Sequence, residues 1–207
     1  MSAFPVTLEG SSISALVAGG GAVALRRVRS LVEAGARVHV VAPSIDPQIE
    51  ALATTNSRVT ITRAEYEPAQ LGERDVNFVV AATNRPDINA GVAADARAKG
   101  LAVNVVDAPD IGTCTIPAVH RAGEGDLVIA ISAGGVPSAA ARIRDEIARI
   151  IDERHGRAVA ALVELRRTLL DRGERGRWRE ASEQLVGPSF LADVGSGRFS
   201  ERLGEWR

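Results

Sequence analysis

The chain has 207 residues, of which 45% are hydrophobic and 3% aromatic, which excludes a disordered chain and favours an α/β fold with a core of small aliphatic side chains. A formal net charge of −1 gives no overall attraction to nucleic acid or to an anionic membrane, so we expect neither as a partner. The sequence contains one cysteine, Cys114, which excludes an intramolecular disulfide and a cysteine-based zinc site. Because we find no signal-peptide or membrane-spanning pattern, we expect a cytoplasmic protein.

The first half of the chain alternates short, Val-rich runs with helical patterns. The runs predict strands over 13–18, 37–42, 58–62, 76–82 and 102–106. Helical patterns cover 23–34, 46–54, 68–71 and 86–99. This alternation predicts a Rossmann-like parallel sheet with right-handed crossovers.

The second half has a different pattern. Two strand-like runs over 113–118 and 127–132, separated by a polar loop over 120–126, predict an antiparallel pair. Helices are expected from about residue 137, over 159–170 and within 174–185, with a break over 152–156. The tail from Gly187 is expected to be loosely structured. We therefore divide the chain into three parts, 1–112, 113–145 and 146–207.

A glycine-rich run over 17–24 follows the first strand and opens the first helix, which is the context of a dinucleotide-binding fingerprint. Gly19 permits a tight turn, Gly21 lets the backbone approach a pyrophosphate, and Ala24 allows close packing of helix on strand. A tight turn that binds nothing is the alternative. Neutral side chains follow the second strand, so a ribose would bind Ser44 or backbone groups, and the choice between NAD and NADP stays open.

Polar side chains follow the fourth and fifth strands. The Thr83 hydroxyl is suited to hydrogen-bond a nicotinamide ribose. The alternative is an ordinary helix cap formed by Asn84 with Pro86 at the first helical turn, and both interpretations can hold together. Asp107 and Asp110 follow the fifth strand, beside the expected nicotinamide site. A carboxylate there can act as a general base, and a solvated or capping residue is the alternative.

Several motifs together, in the same order, resemble one known family. They lie at 19–27, 35–43, 81–84, 104–109, 116–118, 131–135 and 141–144. From about residue 4 to residue 150 the chain closely resembles the dehydrogenase module of siroheme synthase. This module is a precorrin-2 dehydrogenase and, in several members, also a sirohydrochlorin ferrochelatase. The helical remainder resembles the C-terminal module of the same family.

The resemblance implies NAD-dependent oxidation of precorrin-2, a tetrapyrrole, to sirohydrochlorin. It also implies a homodimer whose middle segment exchanges between subunits. The three parts then become an NAD-binding Rossmann domain, a dimerisation segment and a C-terminal helical module. The family's catalytic aspartate falls on Asp107. Its dinucleotide contacts fall near Ala22, Val23, Pro43, Ser44 and Thr83.

Substrate-binding residues are expected from the charge of the substrate. Because the tetrapyrrole carries many carboxylates, Arg121, Arg142 and Arg144 are candidate bidentate partners. For each of them an exposed surface residue or a helix ion pair is the alternative. The other candidates for substrate binding are Asp110, Ser132, Gly134 and Gly135.

The chain departs from the family pattern after the last strand. Ala133 replaces a hydroxyl residue, and Pro137-Ser138 reverses the usual Ser-Pro order. We therefore expect this departure to affect metal insertion, in which ferrous iron would be a substrate, more than it affects hydride transfer. No cluster has the spacing of metal ligands, so we expect no resident metal.

A nucleotide-sensing regulatory module is the competing hypothesis. A single Rossmann unit with a dimerising tail also describes regulators that respond to NAD(H) without catalysis. Such a sensor needs no carboxylate after the fifth strand, whereas this chain has Asp107 there.

Overall fold

The computed structural model describes residues 3–72, 75–123 and 127–207. The chain forms two compact units, Met1–Ile116 and Pro117–Arg207. The further division of the second half into a dimerisation segment ending at 145 and a helical module stays a prediction.

The first unit is a five-stranded sheet in the order β3-β2-β1-β4-β5, with every neighbouring pair parallel. The strands are β1 Ser14–Ala18, β2 Arg37–Val41, β3 Val59–Thr62, β4 Phe78–Ala81 and β5 Ala102–Val105. The helices are α1 Ala22–Glu33, α2 Pro47–Thr55 and α3 Pro86–Ala98, with short 3-10 turns at Gly10–Ser12 and Pro68–Leu71. The predicted Rossmann-like sheet is confirmed.

Both faces of this sheet are buried. Along β1, Ala15 and Val17 pack in a cluster with Val28 of α1, while Leu16 packs in a second cluster with Val92 of α3. A strand covered on both sides has no polar face, which explains the continuous Val-rich runs in the sequence. Because the strands are parallel, the segments that follow β1, β2, β4 and β5 come together at one edge.

The second unit combines a two-stranded antiparallel sheet with helices. Its elements are β6 Ala118–Arg121, β7 Val128–Ile131, α4 Pro137–Ile150, α5 Glu153–Asp171, α6 Arg175–Leu185, α7 Phe190–Ser196 and α8 Arg198–Gly204. Leu165 and Leu169 of α5 pack with Leu185 of α6 and Phe199 of α8 in a separate core. In the described part of the chain, no helix is both long enough and apolar enough to cross a membrane.

The strand predicted over 113–118 is misplaced. The backbone N–H groups of Thr113 and Cys114 donate to the Val103 carbonyl, at 2.8 and 3.2 Å, so this segment is tied to the edge strand β5. The antiparallel strand begins only at Ala118 and includes His120 and Arg121, which were predicted in the loop. Residues 124–126 of that loop lie outside the described residues.

The predicted break over 152–156 is shorter than expected. Helix α4 ends at Ile150 and α5 begins at Glu153, because the Asp152 side chain caps α5 by accepting a hydrogen bond from the Arg154 backbone N–H at 3.0 Å. The hydrogen bond from the Arg154 guanidinium is the largest cause that lowers the pKa of Asp152, and hydrogen bonds from the His155 side chain and the Arg154 backbone N–H lower it further.

The tail after Gly187 is helical, which corrects the prediction of a loose segment. Asp193 on α7 is buried, accepts a hydrogen bond from the Ser189 hydroxyl at 2.8 Å, and forms ion pairs with Arg198 and Arg202 at 2.9 and 2.5 Å. These contacts lower the pKa of Asp193, with the Ser189 hydrogen bond as the largest cause. Both helices have seven residues, which is too short for a hydrophobic period to be visible in the sequence.

Candidate active site

A cleft of about 680 Å³ lies at the carboxyl edge of the sheet. It is lined by 19–23, 41–47, Glu65, Tyr66, 82–85 and Ile88. All of the predicted cofactor-binding residues line it: Gly19, Gly21, Ala22, Val23, Pro43, Ser44 and Thr83. The turns after β1, β2 and β4 therefore form one surface, as parallel strands require.

The glycines of the first turn are required for different reasons. Gly19 has φ +126°, and a Cβ there would lie 2.3 Å from the Ala82 carbonyl oxygen. A Cβ on Gly20 would lie 2.2 Å from the Ser44 carbonyl oxygen. A Cβ on Gly21 would meet no atom within 4 Å, so the absence of a side chain there leaves space in the cleft. Gly20 was missed as a site residue, although three consecutive glycines were its signal.

The N-terminus of α1 has the features of an anion site. Gly21 is its N-cap and provides no side-chain cap, and the first turn contains no acidic residue. The N–H groups of the first turn have no partner within the helix, and the helix dipole favours negative charge there. Ala22 and Val23 of this turn line the cleft. A pyrophosphate fits these residues.

The cleft also contains residues that the sequence patterns did not predict as site residues. Asp46 lines the cleft, and its carboxylate caps α2 by accepting from the Gln48 backbone N–H at 2.8 Å. Glu65 and Tyr66, which follow β3, line the cleft as well. The Tyr66 hydroxyl donates to Asp95 at 3.2 Å, and burial together with Asp95 raises the pKa of Tyr66. Asp46 was recognisable only as a helix cap, and no pattern in the sequence marked Glu65 or Tyr66.

Thr83 and Asp107 are joined by the side chain of Asn89, which is 1% exposed. Asn89 Nδ2 donates to the Thr83 carbonyl at 3.1 Å and to Asp107 Oδ1 at 3.0 Å. Asn89 Oδ1 accepts from the Thr83 backbone N–H at 3.1 Å and from the Thr83 hydroxyl at 2.7 Å. The candidate general base is thus connected to the wall of the cleft by hydrogen bonds.

The structure does not support the alternative in which Asn84 caps α3. The N-cap is Arg85, and the Thr83 hydroxyl accepts a hydrogen bond from the Arg85 backbone N–H at 3.1 Å. Pro86 occupies the first helical position as predicted, and Asn84 lines the cleft.

The candidate substrate residues of the second unit lie on β6, in the turn after β7 and on α4. Arg121 is exposed at the end of β6. Arg142 forms an ion pair with Glu146 at 2.5 Å, and Arg144 forms one with Asp145 at 2.6 Å, as the helix ion-pair alternative expects.

The turn that contains Ser132 needs its glycines for conformation. Gly134 and Gly135 have φ values of +55° and +89°, which L side chains rarely adopt. Asp110 is exposed in the first unit, after β5. A role in substrate binding stays a prediction for Ser132, Gly134, Gly135 and Asp110, as it does for the arginines.

Within the described residues, no group of three or more His, Cys, Asp or Glu side chains is placed to hold a metal ion.

Comparison with known proteins gives three kinds of match. A family model described as "Putative NAD(P)-binding" matches residues 6–118, which is more than half of the chain. The siroheme synthase of Pseudomonas putida (strain W619) is 37% identical over 202 residues, covering 95% of this chain and 42% of that protein. The siroheme synthase of Methylobacillus flagellatus is 32% identical over 198 residues, covering 93% of this chain and 41% of that protein.

The chain thus spans about two fifths of the length of these curated relatives. A solved structure described as "SirC, precorrin-2 dehydrogenase" superposes with a TM-score of 0.76 at 26% identity. That match covers 98% of this chain and 100% of the other.

Proposed function

This chain belongs to the NAD(P)-binding family that includes siroheme synthases and precorrin-2 dehydrogenases, and from this premise we propose that it oxidises precorrin-2 to sirohydrochlorin with NAD. One observation carries the proposal. The glycine-lined cleft at the N-terminus of α1 is connected through Asn89 to the carboxylate of Asp107. Absorbance spectroscopy of a mixture of the protein, precorrin-2 and NAD tests it.

The residues that line the cleft support the binding of a dinucleotide. The first turn of α1 would hold the pyrophosphate, Ser44 the adenosine ribose, and Thr83 the nicotinamide ribose. The open space beside Gly21 supports this fit, since a phosphate can approach the backbone there. When bound, NAD would accept a hydride from the substrate.

The charges that line the cleft favour NAD over NADP. Recognition of a 2′-phosphate requires an available cation, usually an arginine. Among the described lining residues Arg85 is the one cation, and its guanidinium is paired with Asp87 at 2.7 Å. Asp46 and Glu65 add negative charge, which would repel a 2′-phosphate.

In the proposed reaction Asp107 acts as the base. Oxidation of precorrin-2 to sirohydrochlorin removes two hydrogens, one as a hydride and the other as a proton that a base must accept. Asp107 is exposed after β5 and accepts one hydrogen bond, from Asn89 to Oδ1. Within the described residues the structure gives Oδ2 no hydrogen-bond partner, so this oxygen is available for the proton.

A homodimer is expected because the sheet of the second unit is too small to bury both of its faces alone. Exposed apolar side chains lie on β7, at the N-cap of α4 and on α4 itself: Val128, Val136, Ile143 and Ile150. Light scattering at micromolar concentration should give twice the chain mass of 21.7 kDa.

Paired variants test the location of this interface. Ile143→Glu, at a residue that is 46% exposed, should shift the mass toward the monomer. The control Val163→Glu on α5, at a residue that is 51% exposed, should not. A wild-type mass of 21.7 kDa at every concentration would contradict the dimer.

Metal insertion should be weak or absent although dehydrogenation is robust. Ala133 lacks the hydroxyl that the family pattern has in the turn before α4, and no proton transfer in the dehydrogenase step is assigned to this turn. Ala133→Ser should therefore leave the rate of sirohydrochlorin formation within a few-fold. The measurement is the rate of precorrin-2 oxidation beside the rate at which sirohydrochlorin takes up ferrous iron or cobalt. Wild-type protein that inserts metal as fast as it oxidises precorrin-2 would overturn this division.

A further inference from the structure

The side-chain amide of Asn89 is fully hydrogen-bonded inside the first unit. An asparagine amide has two N–H donors and one oxygen with two acceptor sites. Both donors are used, toward the Thr83 carbonyl and Asp107 Oδ1, and both acceptor sites are used, by the N–H and hydroxyl groups of Thr83. With four bonds and 1% exposure, this side chain has one favourable arrangement.

The hydrogen bonds also fix which end of the amide faces Asp107. A rotation of the amide by 180° would bring its oxygen against the Thr83 carbonyl and the Asp107 carboxylate, which only accept. It would also bring its NH₂ group against the Thr83 N–H, which only donates. The amide therefore presents an N–H to Asp107 Oδ1.

Asn89 is a polar residue on the buried face of α3. Asn89, Val92, Ala93 and Ala96 are the buried residues of the helix, at the spacing of one helical face. The other three are apolar and pack against the sheet. An amide buried on such a face is costly unless it is fully hydrogen-bonded, and one of its bonds here extends to an exposed carboxylate after another strand.

We propose that Asn89 is a positioning residue for the dehydrogenase reaction. It holds Asp107 Oδ1, leaves Oδ2 as the oxygen that accepts the proton, and sets the position of this carboxylate relative to Thr83 in the cofactor cleft. The inference rests on the proposed function, because it assigns Asn89 a task in that reaction. Asn89 is not among the residues that line the cofactor cleft, and it acts through Asp107.

The variant Asn89→Asp tests this role with little change in shape. The introduced carboxylate keeps acceptors for the N–H and hydroxyl groups of Thr83, which are two of the three bonds to that residue. It loses the donors to the Thr83 carbonyl and to Asp107 Oδ1, and it places a like charge beside Asp107. We expect kcat to fall on the order of a hundredfold, the size of effect that displacement of a reacting group produces. NAD affinity and the KM for NAD should stay within a few-fold. Asn89→Ala, which also removes the bonds to Thr83, should lower kcat and weaken NAD binding as well.

Asn77 provides a matched control at the opposite end of β4. Its side chain accepts from the Ser14 N–H at 2.9 Å and donates to the Ser12 carbonyl at 2.8 Å. Asn77→Asp therefore breaks a comparable donor contact away from the cleft. It should reduce thermal stability and leave kcat within a few-fold.

A double-mutant cycle separates positioning from general support of the fold. In the Asp107→Ala background, Asn89→Asp should change the residual rate by less than about twofold, because the group that Asn89 positions is gone. A similar loss of kcat in both backgrounds, or full kcat in Asn89→Asp, would overturn the proposal.

A measurement without substrate distinguishes failure of this inference from failure of the proposed function. The Asn89 side-chain amide protons should exchange slowly with solvent by NMR, and faster in Asp107→Ala. Wild-type protein that shows this exchange behaviour but does not oxidise precorrin-2 would contradict the function while confirming the contact. Active wild-type protein with rapid exchange at Asn89 would contradict the inference alone.

Discussion

Asp107→Ala should lower the rate of sirohydrochlorin formation on the order of a hundredfold to ten-thousandfold, the range typical for loss of a general base. The carboxylate lies after β5, is exposed, and has one oxygen free of hydrogen-bond partners in the described structure. It does not line the cofactor cleft, so the affinity for NAD should stay within a few-fold. The measurement combines initial rates by absorbance with NAD binding by calorimetry.

Asp171→Ala is the control for Asp107→Ala. Asp171 is an exposed aspartate at the end of α5, outside the cleft and outside the loop after β5. Its replacement should leave both the rate and NAD binding unchanged. Full dehydrogenase activity in Asp107→Ala would show that Asp107 is not the general base of the reaction.

Gly21→Asp should abolish most NAD binding in a folded protein. Gly21 has φ −91°, which any residue adopts, and a Cβ there meets no atom within 4 Å. The new carboxylate would lie at the helix N-terminus, where we propose that the pyrophosphate binds. Like charges brought together cost several kcal/mol, so affinity should fall on the order of a hundredfold or more.

The same substitution should leave stability unchanged or raise it. Aspartate is a favourable N-cap, and α1 has no side-chain cap of its own. Calorimetry should therefore show a lower affinity for NAD, while a thermal melt should show an unchanged or higher melting temperature. Gly91→Asp is the control, because Gly91 is an exposed glycine on α3 where a Cβ also meets nothing within 4 Å. Unchanged NAD affinity in Gly21→Asp would exclude this turn as the pyrophosphate site.

The first unit could be predicted from the sequence because its signals are local and repeated. Strands that are buried on both faces appear as apolar runs, and Gly35 and Gly100, which follow helices, have φ of +89° and +69°. The glycine run after β1 located the cleft, and the order of the strands placed Asp107 after β5. The assignment to the precorrin-2 dehydrogenase and siroheme synthase family is confirmed.

The contacts between elements could not be predicted in the same way. Asn89 makes its bonds to residues 6 and 18 positions away, and no local pattern specifies such partners. Its one signal was a polar residue on the apolar face of α3. Thr113 and Cys114 belong to a run whose composition predicted a strand of the antiparallel pair. Their hydrogen bonds to Val103 hold them at the edge of the parallel sheet. In both cases tertiary contacts decided the outcome.

The most direct test of the account is the absorbance spectrum of purified protein mixed with precorrin-2 and NAD. We predict the appearance of the sirohydrochlorin spectrum together with an equimolar amount of NADH, and neither product when NAD is omitted. Protein that binds NAD by calorimetry yet forms no sirohydrochlorin would contradict the account and favour a nucleotide-sensing module without catalysis.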